Sequence, residues 1–543
     1  MTSTALKRNF RQGLNLNQSH LQQICELNVD STHPTYRMTN IICTIGPACD
    51  STVVLCELIQ KGMNICRFNL AHADHSYHLS ALHNLRDAVA KTKYKVHSQV
   101  AMAVDISGPA VRFGKFKKDI SLPLFLKKGE VCTFTSDQSC ASSCERERIY
   151  VPQSFIDRAK VDSQVFIEDG PLCFVVQEKD SSSLRCLVIQ EGEINSHSQC
   201  HIPRTLPSDG VELTDKDKQD IGFCLQHKMD MLFVSWVWCP EMIIKVREQL
   251  GEAAATVKII AKIENYEGVK RFNEILAVAD GILVGRGDLG IDVLPEKVVL
   301  AQKMMIGRAN MAGKPVICAA QMLDSMVNSP RPTRAEASDV ANAILDGADC
   351  VMLSRETAIG KFPVKAVETL ASICQEAENA LYHARLFQDL RSVTPIPIDS
   401  ARSASIAAVE AAFRCRASAI VVVTNSGRSA TLIARYRPHC VIIAVTRSHH
   451  TARYLNLYRG IFAVLYTDTT CDEWHSDVDI RIDHALNIAK GQGYVKAKDT
   501  AILVTGYQTG PGSTNTVRSI MVPCEHEKSH FLNVASTTDH LAI

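Results

Sequence analysis

The sequence predicts an α/β protein: a (β/α)8 TIM barrel with an inserted β-barrel lid domain and a C-terminal open α/β domain. Short apolar runs alternate with amphipathic stretches from Asn40 onward, a pattern typical of βα units around a parallel sheet. The third and fourth runs lie more than a hundred residues apart, too far for a crossover connection, so we expect a separate domain there. A connector with two prolines at 391–400 then leads into further alternating runs.

Eight apolar runs are the predicted barrel strands, and their C-terminal ends are where such barrels carry their active sites. The runs are Asn40–Ile45, Asn64–Leu70, Val100–Ile106, Met229–Trp236, Lys258–Glu264, Gly281–Val284, Pro315–Met322 and Cys350–Ser354. The predicted domains are an arm at 1–38, the barrel at 39–108 and 211–386, the lid at 109–210 and the C-terminal domain at 387–543.

The lid and the C-terminal domain have patterns of their own. Runs broken by Gly, Pro and Ser indicate lid strands at Glu130–Phe134, Val165–Ile167, Cys173–Val176 and Leu184–Ile189. Runs alternating with helical stretches indicate C-terminal strands at Ala419–Thr424, Val441–Thr446 and Thr500–Thr505. The loops at 424–429 and 506–516 combine hydroxyls with glycines. They are compatible with a phosphate site at a helix N-terminus and, equally, with an ordinary turn and a flexible loop.

Composition narrows the function classes. The chain has 543 residues, 46% of them hydrophobic, and a formal charge of +1, so no global field favours nucleic acid or an anionic membrane. Twenty cysteines are scattered without a repeating framework, which favours reduced thiols and a cytoplasmic protein. In the arm, Lys7, Arg8 and Arg11 precede the first acidic residue. A mitochondrial presequence and a mobile arm with a short helix near 21–27 both fit, and composition favours the arm.

The segment 258–290 places one lysine and two carboxylates at predicted strand ends. Strand periodicity sends Lys262 and Glu264 to the same face, and Asp288 follows the next run. If the two strands are parallel neighbours, Glu264 and Asp288 can share one hard divalent cation while Lys262 faces a phosphoryl group in transfer. The alternative is a set of strand-end charges that meet solvent.

Five blocks, in this order along the chain, resemble those of the pyruvate kinase family. They are NIICTIGP (Asn40–Pro47), IIAKIENYEGV (Ile259–Val269), VGRGDLG (Val284–Gly290), AQKMMIGR (Ala301–Arg308) and PRPTRAEASDVANA (Pro330–Ala343). The resemblance extends from about 40 to 521, and only the lid matches weakly. It implies transfer of a phosphoryl group from phosphoenolpyruvate to ADP, giving pyruvate and ATP. It also implies Mg2+ and K+ as cofactors, a homotetramer, and a sugar bisphosphate effector in the C-terminal domain.

The resemblance assigns a role to each matching position. Catalytic and substrate-binding residues would be Lys262, Arg67, Gly287, Asp288 and Ala320, and nucleotide-binding residues Asn69, Arg112 and Asp169. The Mg2+ ligands would be Glu264 and Asp288, and the K+ ligands Asn69, Asp105 and Ile106. The effector pocket would contain Thr424, Ser426, Gly427, Ser429, Trp474 and Arg481.

Several positions depart from the family pattern. Ala320 replaces a threonine whose hydroxyl lies beside the enolate, so we expect slower protonation without loss of phosphate binding. Ala71 replaces a serine ligand of the monovalent cation, which weakens the expected K+ dependence. Arg355 replaces a glycine at the end of the eighth strand. There a guanidinium either blocks the nucleotide side or adds compensating charge.

Further departures lie on the lid and in the effector pocket. The segment 197–199, His-Ser-Gln, replaces a Lys-Lys-Gly whose lysine reaches the nucleotide phosphates. Ser107 and Ala110 replace a lysine and a glutamate, and Asn425 stands where allosteric members often have lysine. Two hypotheses follow: an active but impaired or specialised pyruvate kinase, or a pseudoenzyme that joins active subunits in mixed oligomers as a regulatory or structural partner.

Overall fold

The computed structural model describes residues 18–30, 36–96, 99–168, 170, 172–206, 211–468, 471, 473–507, 512–524 and 531. The strands are β1 (Asn40–Thr44), β2 (Met63–Asn69), β3 (Ala101–Ile106), β4 (Leu124–Leu126), β5 (Val131–Thr135), β6 (Arg148–Tyr150), β7 (Gln164–Ile167), β8 (Leu172–Lys179), β9 (Ser183–Gln190), β10 (Gly192–Ile194), β11 (Cys200–His201), β12 (Met231–Val234), β13 (Lys258–Ile263), β14 (Gly281–Gly285), β15 (Val316–Ala319), β16 (Cys350–Leu353), β17 (Ala419–Val423), β18 (Val441–Thr446), β19 (Ile461–Leu465), β20 (Thr500–Gly506) and β21 (Thr514–Met521).

The helices follow the same chain order. They are α1 (His20–Cys25), α2 (Thr52–Lys61), α3 (His75–Val96), α4 (Gln153–Arg158), α5 (Asp215–Gln226), α6 (Pro240–Leu250), α7 (Tyr266–Lys270), α8 (Phe272–Val278), α9 (Arg286–Asp292), α10 (Pro295–Ala312), α11 (Arg334–Leu345), α12 (Arg355–Ala358), α13 (Pro363–Asn379), α14 (His383–Ser392), α15 (Ser400–Cys415), α16 (Arg428–Arg435), α17 (His449–Tyr454) and α18 (Trp474–Gly491). None of the helices described here combines the length and apolar character that a bilayer crossing requires.

The predicted fold class is confirmed. Eight parallel strands close into a barrel in the order β1-β16-β15-β14-β13-β12-β3-β2, and each overlaps one of the predicted runs. β15 ends earlier than predicted, because Ala320 and Gln321 adopt left-handed backbone angles with φ of 69° and 52°. An extended strand cannot continue through two such residues.

By packing, the chain divides into two compact units: 1–68, 74–103 and 306–543 form the first, and 69–73 with 104–305 form the second. The predicted domain boundaries remain a prediction. In the first unit, β1 pairs in parallel with β2 and β16, and β16 also pairs with β15. In the second unit, β12, β13 and β14 form a parallel run whose residues are almost all buried. Their β-branched, apolar sequences suit strands covered on both faces.

The first unit also holds the C-terminal sheet, in the order β19-β18-β17-β20-β21. The sequence predicted β17, β18 and β20 but not β19 or β21. β21 is an antiparallel edge strand whose residues are mostly exposed or half-buried. Its sequence is polar and lacks the apolar run by which the other strands were predicted. It begins at Thr514, inside the predicted loop 506–516, and residues 508–511 of that loop lie outside the described residues, as do 1–17 of the arm.

The lid lies in the second unit and is built from a six-stranded sheet, β11-β7-β8-β9-β5-β6, and the pair β10-β4. Aromatic residues fill its core: the Phe134 ring lies 5.2 Å from Phe113 and 5.0 Å from Phe174. All three are buried, so the lid has a hydrophobic core of its own.

Asp292, the last residue of α9, anchors the lid strand β11. It is 5% exposed, and its carboxylate accepts hydrogen bonds from the backbone N–H groups of Arg204 and Tyr266 and contacts Nε2 of His201 at 3.3 Å. Burial acts to raise the pKa of Asp292, but the bonds from His201, Arg204 and Tyr266 outweigh it and hold the pKa below its ordinary value. The ionised form is therefore part of the folded structure.

We expect Asp292→Asn to destabilise the protein by about 1–3 kcal/mol at pH 7, because an amide NH2 then faces backbone donors. The folded pKa lies below the unfolded value of about 4, so the carboxylate stabilises above pH 4 and loses that effect as pH falls through the folded pKa. The difference between wild type and variant should shrink below pH 4. Urea midpoints at pH 7 and at pH 3.5 measure it, with the exposed lid residue Asp119→Asn as the control. An equal difference at both pH values would contradict the prediction.

Candidate active site

Lys262 lies near the end of β13 with its side chain only 10% exposed. Its Nζ donates to Ser235 Oγ at 2.8 Å, and it lies 3.2 Å from Asp105 Oδ2 and 3.2 Å from Glu264 Oε1. Ser235 Oγ in turn donates to Asp105 Oδ1 at 3.1 Å. Residues at or just after the ends of β3, β12 and β13 thus fix the ammonium. The sequence predicted that it projects from a strand end.

Glu264 is 5% exposed and is held on two sides. Its Oε2 accepts a hydrogen bond of 2.9 Å from the backbone N–H of Trp236, which has a left-handed φ of 57°. Its other face lies on Gly285, where a Cβ would meet Glu264 Cγ at 2.6 Å and Oε1 at 2.8 Å. Only glycine leaves room for the carboxylate in this position, so Gly285 determines where Glu264 lies.

Asp288 lies in the first turn of α9, beside the buried Gly287. Its Oδ1 accepts a hydrogen bond of 3.0 Å from Nε2 of the lid residue Gln199. Asp288 is half-buried, whereas Glu264 is buried. The first turn of a helix favours negative charge, so an ionised carboxylate is stable there.

The carboxylates fit the divalent cation that the resemblance implies. Lys262 pairs with both Asp105 and Glu264, so one ammonium is shared among the three carboxylates of Asp105, Glu264 and Asp288, and the group keeps a net negative charge and hard oxygen donors. Among the described residues, no group of three or more His, Cys, Asp or Glu side chains is arranged to hold a metal by itself. Two protein carboxylates suit Mg2+, which usually keeps several waters and binds substrate phosphates as further ligands.

Asn69 and Asp105, two of the residues expected to hold K+, are hydrogen-bonded to neighbouring groups. Asn69 Oδ1 accepts from the backbone N–H of Ala71 at 3.3 Å, and Asp105 O accepts from Leu70 N at 3.0 Å. The Asp105 carboxylate contacts Lys262 and Ser235, while Ile106 is buried as the last residue of β3. Ala71 contributes no side-chain oxygen.

Of the two nucleotide-binding candidates on the lid, Arg112 lies among the described residues. Arg112 donates from Nη1 to the carbonyl of His197 at 3.0 Å, so its guanidinium holds the 197–199 segment. Asp169 lies outside the described residues.

Arg67 belongs to the first unit, near the end of β2. It is 6% exposed and donates from Nη1 to Thr44 Oγ1 at 2.8 Å, and Thr44 Oγ1 donates to the carbonyl of Leu353 at 3.0 Å. The hydroxyl of Thr44 therefore links the strand ends of β1, β2 and β16.

Ala320 and Arg355 also lie in the first unit. Ala320 follows β15 with a φ of 69°, and Arg355 is the exposed first residue of α12. Its neighbour Glu356 is buried and accepts from the backbone N–H groups of Leu323 at 3.1 Å and Ser354 at 2.8 Å. Burial raises the pKa of Glu356.

The predicted effector residues lie around a cavity of about 330 Å³ in the C-terminal sheet. Five of the six line it: Thr424, Ser426, Ser429, Trp474 and Arg481. Gly427, the sixth, donates its backbone N–H to Thr424 Oγ1 at 3.0 Å. Arg481 pairs with Asp477 and lies over the Trp474 ring at 5.6 Å, and burial lowers its pKa.

The sequence did not identify the residues that position the candidates. Ser235 acts through a hydroxyl and Trp236 through a backbone N–H. Gly285 acts through a close approach, and Asp292 through a carboxylate that accepts from backbone N–H groups. A glycine at the end of an apolar run before two charged residues was a usable signal for Gly285. The contact of Gln199 with Asp288, 89 residues away, had no sequence signal.

Comparison with known proteins gives the family that the sequence resembles, over most of the chain. Residues 36–367 match the family model described as "Pyruvate kinase, barrel domain", and 402–520 match "Pyruvate kinase, alpha/beta domain". "Pyruvate kinase PKLR" of Rattus norvegicus is 44% identical over 505 residues, covering 92% of this chain and 88% of that protein, and the Homo sapiens protein gives the same values. "Pyruvate kinase" of Kluyveromyces lactis is 39% identical over 507 residues, covering 93% and 100%. This chain belongs to the pyruvate kinase family.

Proposed function

We propose that this protein transfers the phosphoryl group of phosphoenolpyruvate to ADP in a Mg2+-dependent reaction, giving pyruvate and ATP at a reduced rate. The observation that carries the proposal is the buried Lys262 ammonium, held by Asp105, Ser235 and Glu264. A preorganised cation in a site of low dielectric stabilises the charge that develops on a phosphoryl group in transfer.

The remaining roles follow from the family resemblance and the observed chemistry. Glu264 and Asp288 would hold Mg2+, which when bound neutralises phosphoryl oxygens. Gly287 and Asp288 would receive the substrate carboxylate through backbone N–H groups, and Arg67 would bind phosphate. Asn69, Arg112 and Asp169 would contact the nucleotide.

Completion of the reaction requires a proton on the enolate carbon. Ala320 has no hydroxyl to take part in proton delivery, and a positioned donor is worth about 10² to 10⁴ in rate. K+ dependence should be weak, because Ala71 supplies no ligand oxygen and the Asp105 carboxylate contacts Lys262. We therefore place the activity below that of a typical family member.

A second function is favoured by the same two alanines. A chain that lacks both hydroxyls but keeps the family fold could serve as a regulatory or structural partner of active subunits, in mixed rather than homomeric tetramers. A test for association with an active pyruvate kinase subunit separates the two functions, because only the second function requires mixed tetramers. We also propose a cytoplasmic location, since reduced, mostly buried cysteines suit that compartment.

The cavity around Thr424 and Ser429 is proposed to bind a sugar bisphosphate, as the resemblance implies. Two observations limit this role. Arg447 and Arg481 are already paired with Asp477, and Asn425 brings no charge for a phosphate. Binding should be weak, because a cation shared with a carboxylate attracts a phosphate less strongly.

A coupled assay with phosphoenolpyruvate, ADP, Mg2+ and varied K+ tests the first function. We expect pyruvate formation that depends on Mg2+ and responds little to K+. Lys262→Met should lower the rate by about 10² or more, since it removes the cation that faces the phosphoryl group. Lys270→Met, on the exposed face of α7, is the control and should leave the rate unchanged. A purified wild-type protein that forms no pyruvate at saturating substrates would contradict the proposal.

Gly285→Ala tests the position of Glu264. The added methyl group displaces the carboxylate, because it meets Glu264 Oε1 at 2.8 Å. We expect the Mg2+ concentration for half-maximal activity to rise about tenfold. Gly222→Ala is the control, since a Cβ there, on the exposed face of α5, meets nothing within 4 Å. An unchanged Mg2+ requirement in a folded Gly285→Ala protein would exclude this role.

Ala320→Thr tests proton delivery. The hydroxyl should raise kcat by about tenfold or more and leave KM for phosphoenolpyruvate nearly unchanged. Ala320→Val is the matched control, because valine has the same shape and the same cost at a φ of 69° but no hydroxyl. Equal rates for the two variants would show that another departure, such as Arg355 or the 197–199 segment, limits turnover.

A further inference from the structure

The lid residue Gln199 is fixed by its backbone on two sides. It forms an antiparallel bridge with Arg112 just before β11. On the other side its N–H donates to Glu168 Oε1 at 3.0 Å, and its carbonyl accepts from Glu168 N at 3.0 Å. Glu168 has a left-handed φ of 49°, which turns its side chain back to this strand. These bonds therefore hold the backbone of Gln199 in place independently of the contact that its side chain makes.

That side chain ends on Asp288. Nε2 of Gln199 donates to Asp288 Oδ1 at 3.0 Å. An ionised carboxylate only accepts hydrogen bonds, so the NH2 group of the amide must face it rather than the carbonyl oxygen. A neutral donor thus occupies one lone pair of an oxygen that the proposed function assigns to Mg2+.

We propose that Gln199 is a latch that holds the lid to Asp288 and lowers the affinity of this protein for divalent cations. The inference rests on the proposed function, because it takes Asp288 as a cation ligand. A cation and an N–H donor compete for the same oxygen, since the amide hydrogens repel positive charge. Mg2+ also requires near-octahedral geometry at about 2.1 Å, which leaves little tolerance for a second group on that oxygen.

In this scheme, cation binding at that oxygen weakens or breaks the latch. The loss of this hydrogen bond offsets part of the free energy of cation binding, so the affinity for the cation is lower. Hydrogen bonds to a charged acceptor are among the stronger ones in proteins. Gln199 is a positioning residue in this scheme, and it acts through Asp288.

Mn2+ titration, followed by the electron paramagnetic resonance signal of free Mn2+, tests the latch without any measurement of catalysis. The proteins are wild type, Gln199→Ala, and Gln199→Asn, whose amide is one methylene too short to reach Asp288. We expect both variants to bind Mn2+ about three- to tenfold more tightly than wild type, and Mg2+ to displace Mn2+ with the same order of affinities. Gln190→Ala, at an exposed position on β9, should leave the affinity unchanged.

Two results would overturn the latch. Unchanged affinity in Gln199→Ala and Gln199→Asn would show that the bond does not oppose the cation. Weaker binding would show that the amide turns and offers its carbonyl oxygen as a ligand. The Asp288→Asn protein separates the latch from the proposed function. If it loses Mn2+ binding while both Gln199 variants bind as wild type does, the latch alone fails. If it binds Mn2+ as wild type does, the cation does not bind at Asp288, and the cation role assigned to Asp288 fails as well.

Hydrogen exchange supplies an independent readout of the lid. Peptides covering 196–201 should exchange slowly in the cation-free wild type and faster once Mn2+ is added. In Gln199→Ala their exchange rate should not depend on Mn2+, because the latch is absent under both conditions. Slow exchange that Mn2+ does not change in wild type would also overturn the latch.

Discussion

The ion cluster around Lys262 is the constraint on which the candidate site depends. A buried ammonium costs several kcal/mol unless it is paired and fully hydrogen-bonded. Here Asp105, Glu264 and Ser235 surround it, and Asp105 is only 1% exposed. β3, the end of β12 and the end of β13 must therefore keep a fixed register, because a shift of one residue would turn a charge into the barrel core.

Support for this cluster comes from groups that have no charge of their own. The backbone N–H of Trp236 and the bare Cα of Gly285 fix Glu264. The Trp236 ring lies 4.6 Å from the ring of His201, a residue of β11 that Asp292 contacts. The lid strand is thereby connected, through a ring and a backbone N–H, to a carboxylate of the site. A substitution of His201 or Asp292 can therefore shift Glu264 without contacting it.

Much of the fold was predictable from sequence, since the strand runs of the barrel are apolar and regularly spaced. The charged candidates were predictable as well, because Lys262, Glu264 and Asp288 stand at strand ends in a periodic pattern. The polar edge strand β21 was not, because an exposed strand needs no apolar alternation. Neither were Ser235 and Gln199, whose roles depend on contacts 27 and 89 residues away along the chain. Such contacts are set by tertiary structure, and single-sequence patterns do not encode them.

Lys262 and Glu264 have a structural role besides the catalytic one proposed for them. Loss of Lys262 or of Glu264 would leave a buried charge without its partner, which typically costs about 3–5 kcal/mol. The hydroxyl missing at Ala320 carries no such penalty, and neither does the one missing at Ala71. A chain under no demand for fast turnover would therefore keep Lys262 and Glu264 and lose the hydroxyls. In the proposed reaction the rate would be set by residues that the fold can spare, and Ala320 and Gln199 are the two whose chemistry bears directly on it.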